Sequence, residues 1–156
     1  MRRSWGTPRS RRPASEGGRP ASVPPAKTER NIVEVKTFAQ ALDLRSDPGL
    51  VEEYRRHHRA VWPEVTAALR SIGIRNMRIW LGGTRLFMTY DAPDHFDPRR
   101  DFQTYAENPR CRQWDEWMRT FQTKLADAAP EDWWMPLEQV FDLERSPGDP
   151  PVGAAS

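Results

Sequence analysis

Ile74-Arg75-Asn76-Met77-Arg78-Ile79-Trp80-Leu81-Gly82-Gly83-Thr84-Arg85-Leu86-Phe87-Met88-Thr89-Tyr90-Asp91 alternates twice around a pair of glycines. In residues 74–81, Met77, Ile79 and Leu81 share one face while Asn76, Arg78 and Trp80 share the other, the period of two expected of a half-buried strand. Residues 85–91 set Leu86, Met88 and Tyr90 against Phe87, Thr89 and Asp91 in the same way. Gly82-Gly83 between the two runs predicts a tight hairpin turn. Upstream, Ser46-Asp47-Pro48 offers a side-chain cap followed by proline at the first helical position, with Glu52 and Glu53 early in the helix. The helix is expected to run to about Ser71, to stop at Gly73, and to kink or break over residues 59–62, where Pro63 removes a backbone donor. Before it, residues 38–44 alternate Phe38, Gln40, Leu42 and Leu44 against small or acidic residues.

Downstream, Pro93 and Pro98 mark a polar connection into helical sequence from about Phe102, and a second helical stretch is predicted from Pro109 to Leu125. A final strand is predicted over residues 137–143. The order is β-α-β-β-α-β, a ferredoxin-like α+β fold with the helices on one face of an antiparallel sheet. Nothing else in the chain covers the other sheet face. A homodimer stacking sheet on sheet, a dimeric α+β barrel with one cleft per protomer, is the economical expectation.

The chain has 156 residues and a net charge of +2. Residues 1–30 hold eight basic residues against two acidic ones, a charge of +6, and the remaining residues carry sixteen basic and twenty acidic, or −4. The high pI therefore belongs to the N-terminal segment, which removes most of the charge argument for nucleic-acid binding and leaves only a reading through that basic segment. Residues 1–32 read as a disordered basic extension rich in proline and arginine, a transit peptide being the alternative. Residues 33–145 read as the folded domain and residues 146–156 as a loose end. No apolar run is long enough for a membrane helix. One cysteine, Cys111, excludes an internal disulfide, and no Cys/His cluster has zinc spacing. A cytoplasmic protein with no metal, no cofactor, no nucleic-acid partner and no membrane attachment is expected.

On the first helix the inward stripe is Val51, Tyr54, His58, Val61/Trp62, Val65 and Leu69. Tyr54 and His58 thus lie one turn apart facing the sheet, with His57 at the edge. This pair is either a satisfied structural contact or a working one, imidazole being the side chain that exchanges protons near neutrality unaided. On the second helix Trp114, Trp117, Phe121 and Leu125 form a stripe, with Trp117 and Phe121 expected in the core. Trp114 beside Asp115 is expected at a rim, where an indole face and a carboxylate suit a sugar. Cys111 reads as a packed thiol, and the run Arg55-Arg56-His57-His58-Arg59 as a solvated face.

The stretch Glu53-Tyr54-Arg55-Arg56-His57-His58-Arg59-Ala60-Val61-Trp62-Pro63-Glu64, with Asn76-Met77-Arg78-Ile79-Trp80, Cys111-Arg112-Gln113-Trp114 and Leu137-Glu138-Gln139-Val140-Phe141-Asp142-Leu143, resembles the L-rhamnose mutarotase family. The resemblance covers residues 38–143. It implies a dimeric α+β barrel that interconverts the α and β anomers of a free deoxy sugar without metal or cofactor. It places the family's proton-donating histidine on His58 and a sugar-binding tyrosine on Tyr54. A sugar-contacting tyrosine of the rhamnose enzymes falls on Met77, and a pair of tryptophans falls on Trp114 and Asp115. These departures, with Pro130-Glu131-Asp132-Trp133-Trp134, look like the branch assigned to L-fucose. Trp62 or Trp134 would complete the apolar wall. A non-catalytic sugar-binding domain, and a cofactor-free oxygenase or haem-binding protein on the same barrel, are the competing readings.

Overall fold

The computed structural model describes residues 34–145 and 147–148. The expectations for residues 1–32, and most of those for 146–156, lie outside the described residues. The order is β1 (Val35–Leu44), α1 (Pro48–His58), α2 (Pro63–Ser71), β2 (Arg75–Gly82), β3 (Arg85–Pro93), α3 (Pro98–Ala106), α4 (Pro109–Arg119), β4 (Gln122–Thr123) and β5 (Met135–Pro136). The sheet is antiparallel with order β2-β3-β1-β4, and β5 also pairs with β1. This is the ferredoxin-like α+β arrangement that the hairpin and its flanks predict.

The breaks in the first helical region follow from local chemistry. Asp47 caps α1 by accepting from the Gly49 amide at 2.7 Å, with Pro48 at the first helical position. Helix α1 ends at His58 and α2 begins at Pro63, so the proline divides the region at the expected place. Gly73 has φ of +98° and turns the chain into β2, and a Cβ there would come within 3.0 Å of the Pro93 ring. A larger residue at position 73 would therefore meet both backbone strain and a neighbour.

Four expectations need correction. The hairpin turn is Gly83-Thr84, because Gly82 still pairs with Arg85 and Gly83 is the residue with positive φ. The third helical stretch begins at Pro98, earlier than Phe102, because Asp97 caps it by accepting from the Arg99 amide at 2.9 Å. Helix α4 ends at Arg119 and not at Leu125. The Thr120 hydroxyl closes its last turn on the Trp117 carbonyl, and Phe121, Gln122 and Thr123 are captured by the end of β1 and the residue after it.

The strand predicted over residues 137–143 is the fourth correction. Pairing with β1 covers Met135 and Pro136 and stops at the Leu137 amide, which donates to Ala39 at 2.8 Å. Pro136 cannot donate to the ladder. Further on, Asp142 accepts from Glu144 and Gln139, which turns the chain on itself. Val140, Phe141 and Leu143 are 89%, 74% and 79% exposed.

The helices and the inner sheet face enclose the core, centred on Leu42, Leu44, Tyr54, Val65, Leu86, Cys111, Trp114, Met118 and Phe121. A second cluster joins Ile74, Met88, Tyr90, Ala92 and Phe96. Within it the Tyr90 ring stacks on Phe38 at 5.2 Å and meets Phe96 and Phe102 edge-on. Its hydroxyl is buried with no hydrogen-bond partner, an arrangement that costs about 1–3 kcal/mol. Tyr90→Phe is accordingly expected to raise stability by about 1 kcal/mol in a denaturant titration, and a loss instead would show that the hydroxyl is satisfied in solution.

Candidate active site

Tyr54 and His58 stand in the last two turns of α1, with ring centroids 4.1 Å apart. His58 Nδ1 lies 3.1 Å from the Tyr54 backbone carbonyl. A carbonyl only accepts, so Nδ1 carries the hydrogen and Nε2 is the bare nitrogen of the neutral ring. Burial lowers the His58 pKa below 6.5, the carbonyl contact opposes that, and the neighbouring His57 adds to it. His58 is therefore neutral at pH 7 and presents a proton acceptor. The Tyr54 hydroxyl is buried, which pushes its pKa up to about 12. The Gln122 side chain nearby eases that rise but makes no hydrogen bond of good geometry to it. The Gln122 Oε1 instead accepts from Trp133 Nε1 at 2.8 Å.

His57 lies half-buried at the edge of the face that carries Tyr54 and His58 and does not line the cleft. Its ring packs 4.0 Å from Trp117, and Nε2 lies 3.4 Å from Glu53 Oε1. The second-helix stripe is rotated from its expected position. Cys111, Trp114 and Met118 point inward, and Trp117 is half-buried on the flank. Trp114 is thus a core residue as well as a wall of the site, its ring 5.6 Å from His58 and edge-on to it. Trp62 packs on the far side of Trp114 at 5.3 Å and beneath the Arg110 guanidinium at 3.8 Å. It does not line the cleft. The proline break swings it outward, so its helical position misplaces it.

Asp115 follows Trp114 on α4 and accepts a hydrogen bond from the Tyr105 hydroxyl at 3.0 Å. Burial raises its pKa to about 6, against the pull of the Tyr105 hydrogen bond and the Arg119 charge. Asp115, Tyr54, His58, Met77 and Trp114 all line one open cleft of about 2090 Å³, larger than the ~300–1,000 Å³ of ordinary ligand sites. Met77 reaches it from the same face of β2 as Ile79, and beside it β2 carries a bulge between Arg75 and Arg78, where Asn76 has φ of +52° and donates to Asp91 at 2.8 Å. Asp91 itself belongs to the opposite sheet face, bonded to Thr37 at 2.7 Å.

Tyr105, Gln122, Trp133 and Trp134 also line the cleft. Among them the sequence offers Trp134 only as an alternative wall, and its pattern does not point to Tyr105 or Gln122. A signal for Tyr105 exists in the Asp97-Pro98 cap, which opens a helix that carries it. Among the described residues no group of three or more His, Cys, Asp or Glu is placed to hold a metal ion.

The L-rhamnose mutarotase family model matches residues 37–143, the segment that contains Tyr54, His58, Met77, Trp114 and Asp115. The chain belongs to the L-rhamnose mutarotase family. It is therefore, by family, an isomerase acting on sugar anomers. Among curated mutarotase relatives it is 33% identical to the L-fucose mutarotase of Xanthomonas campestris pv. campestris, over 73% of this chain and 93% of that one. It is 30% identical to the L-rhamnose mutarotase of Cronobacter sakazakii, over 67% and 97%. A UPF0734 protein of Dictyostelium discoideum is 50% identical over 71% of this chain and 92% of its own. The crystal structure of L-rhamnose mutarotase from Formosa agariphila superposes with a TM-score of 0.52 at 22% identity, covering 70% of this chain and 99% of that one. This likeness supports the mutarotase fold. No described helix is long and apolar enough to cross a membrane.

Proposed function

We propose that the chain interconverts the α and β anomers of a free 6-deoxy-L-hexose, L-fucose before L-rhamnose, with His58 as the proton-transfer residue. The observation that carries this reading is the His58 ring, fixed by the Tyr54 carbonyl with its bare Nε2 in a cleft walled by Trp114. His58 takes the proton of the anomeric hydroxyl as the ring opens. It is then the proton donor to the aldehyde oxygen as the ring recloses. Trp114 offers an apolar face to the sugar C–H groups, Tyr54 borders the ring, and Met77 with Ile79 and Met88 suits the C6 methyl group. Asp115 borders the polar edge of the sugar. Trp62, though proposed from sequence as a contact, serves by backing Trp114. Met77 and Asp115, in place of aromatic residues, and the likeness to the Xanthomonas enzyme favour L-fucose.

The test is NMR saturation transfer between the anomeric protons of L-fucose and of L-rhamnose. Catalysed exchange of L-fucose, faster than of L-rhamnose, is expected. Binding of either sugar with no exchange would replace the reading with a sugar-binding domain.

A cytoplasmic homodimer completes the proposal. Trp80 and Phe87 pair across β2 and β3 on the outer sheet face and are 49% and 43% exposed. With Val140, Phe141 and Leu143 they give a second copy a large apolar surface to cover. Sedimentation at micromolar concentration should return a dimer, and removal of residues 138–156 should weaken it. A monomer in both cases would end the dimer reading.

A further inference from the structure

Opening a hexose hemiacetal moves two protons, one from the anomeric hydroxyl and one to the ring oxygen, and His58 handles only the first. Resting on the proposed anomer exchange, we infer that Asp115, steadied by Tyr105, is the acid that protonates the ring oxygen while His58 Nε2 receives the anomeric proton. The two groups border the same cleft, and the Trp114 ring, which meets His58 at 5.6 Å, belongs to the residue next to Asp115.

Geometry leaves one oxygen of Asp115 for the work. Oδ1 accepts from Tyr105 at 3.0 Å, the only hydrogen bond of this carboxyl among the described residues, so the transferable proton rides on Oδ2. Of the other acidic groups bordering the cleft, Glu138 stands exposed on the segment after β5, and the rest are committed elsewhere. Glu131 and Asp132 pair with Arg99, Asp94 with Lys36, and Asp97 caps α3. Tyr54 holds its proton too tightly to give it up near neutrality. The charged and titratable neighbours of Asp115 are Tyr105 from α3, Arg119 one turn later on α4, and Cys111 one turn earlier. The Cys111 thiol donates to the Glu64 carbonyl.

The step balances. The O1–H proton passes to His58 Nε2, C1=O1 forms, C1–O5 breaks, and the Asp115 proton passes to O5. The aldehyde turns about C1–C2. Then O5 attacks the other face of C1, its proton returns to the Asp115 carboxylate, and His58 returns a proton to O1. No oxidant, metal or third reactant is consumed.

Activity then requires neutral His58 and protonated Asp115. Catalysed exchange should fall as pH drops through the His58 titration and fall again as pH rises through that of Asp115, near 6, a bell on the acid side of neutrality. The experiment measures exchange rates by saturation transfer from pH 4.5 to 8 for wild type, Asp115→Asn and Tyr105→Phe, using L-fucose and subtracting the spontaneous rate. Asp115→Asn, which keeps the Tyr105 hydrogen bond, is expected to lose on the order of 10²-fold or more at the optimum with sugar saturation little changed. Tyr105→Phe removes a contact that lowers the Asp115 pKa, so its alkaline limb should move to higher pH. An Asp115→Asn rate above a tenth of wild type, or an unmoved limb in Tyr105→Phe, overturns the assignment of Asp115. If wild type accelerates neither sugar, it is the anomer-exchange reading that fails.

Discussion

His58→Ala is expected to remove the acceleration of anomer exchange, a loss on the order of 10²–10⁴-fold, while leaving the melting curve almost unchanged. The imidazole is only partly buried, and its one hydrogen bond goes to a carbonyl of its own helix. Removing it therefore opens no large void and strands no distant partner. What disappears is the bare Nε2 and the ring that sets its direction. Comparing exchange rates at equal folded concentration, with thermal melts alongside, separates this from unfolding. A variant within tenfold of wild type would show that His58 is a spectator and that its contact with Tyr54 is structural.

Trp114→Ala is expected to act on the fold itself. Trp114 is buried in the main cluster and meets His58, Trp62 and Trp117 within 6 Å. Truncating a buried tryptophan costs about 3–5 kcal/mol, a large share of the ~5–15 kcal/mol that holds a domain together. Chemical denaturation should show the midpoint falling steeply. Trp114→Phe should lose much less stability yet still weaken sugar binding, because the smaller ring covers less of the sugar face. Equal stability of the alanine variant and wild type would mean that the indole is at the surface in solution.

The difference between these two predictions reflects what the chain makes legible. The periods of β2 and β3, the Asp47-Pro48 start and the Pro63 break are local, so the sequence around each carries the cause within a few residues. The pairing of Tyr54 with His58 was readable for the same reason, since one helical turn brings them together. Residue spacing could not reveal that Tyr105 reaches Asp115 from another helix, because that contact depends on how α3 and α4 pack. Nor could it place Trp114 in the core and Trp117 on the flank, a rotation fixed by Cys111 and Met118 turning inward. Trp62 went astray because the break it adjoins ends the helical geometry that located it. The strand predicted over residues 137–143 alternates correctly, yet alternation says nothing of whether a partner lies within reach.

That last feature bears on where the backbone opens. β1 is fully laddered to β3 along one side, but its other side is met only by the short β4 and β5. The Ala39 carbonyl faces β5, and amide and carbonyl of one residue leave a strand on the same side, so Thr37 presents its polar groups on that side beyond the last pairing. In the isolated protomer, deuterium should therefore enter the central strand early from that side, at Thr37 well before Leu42, although both sit in one strand. An interior strand of the sheet thus carries an exchange-open start on the side where an edge strand would ordinarily protect it.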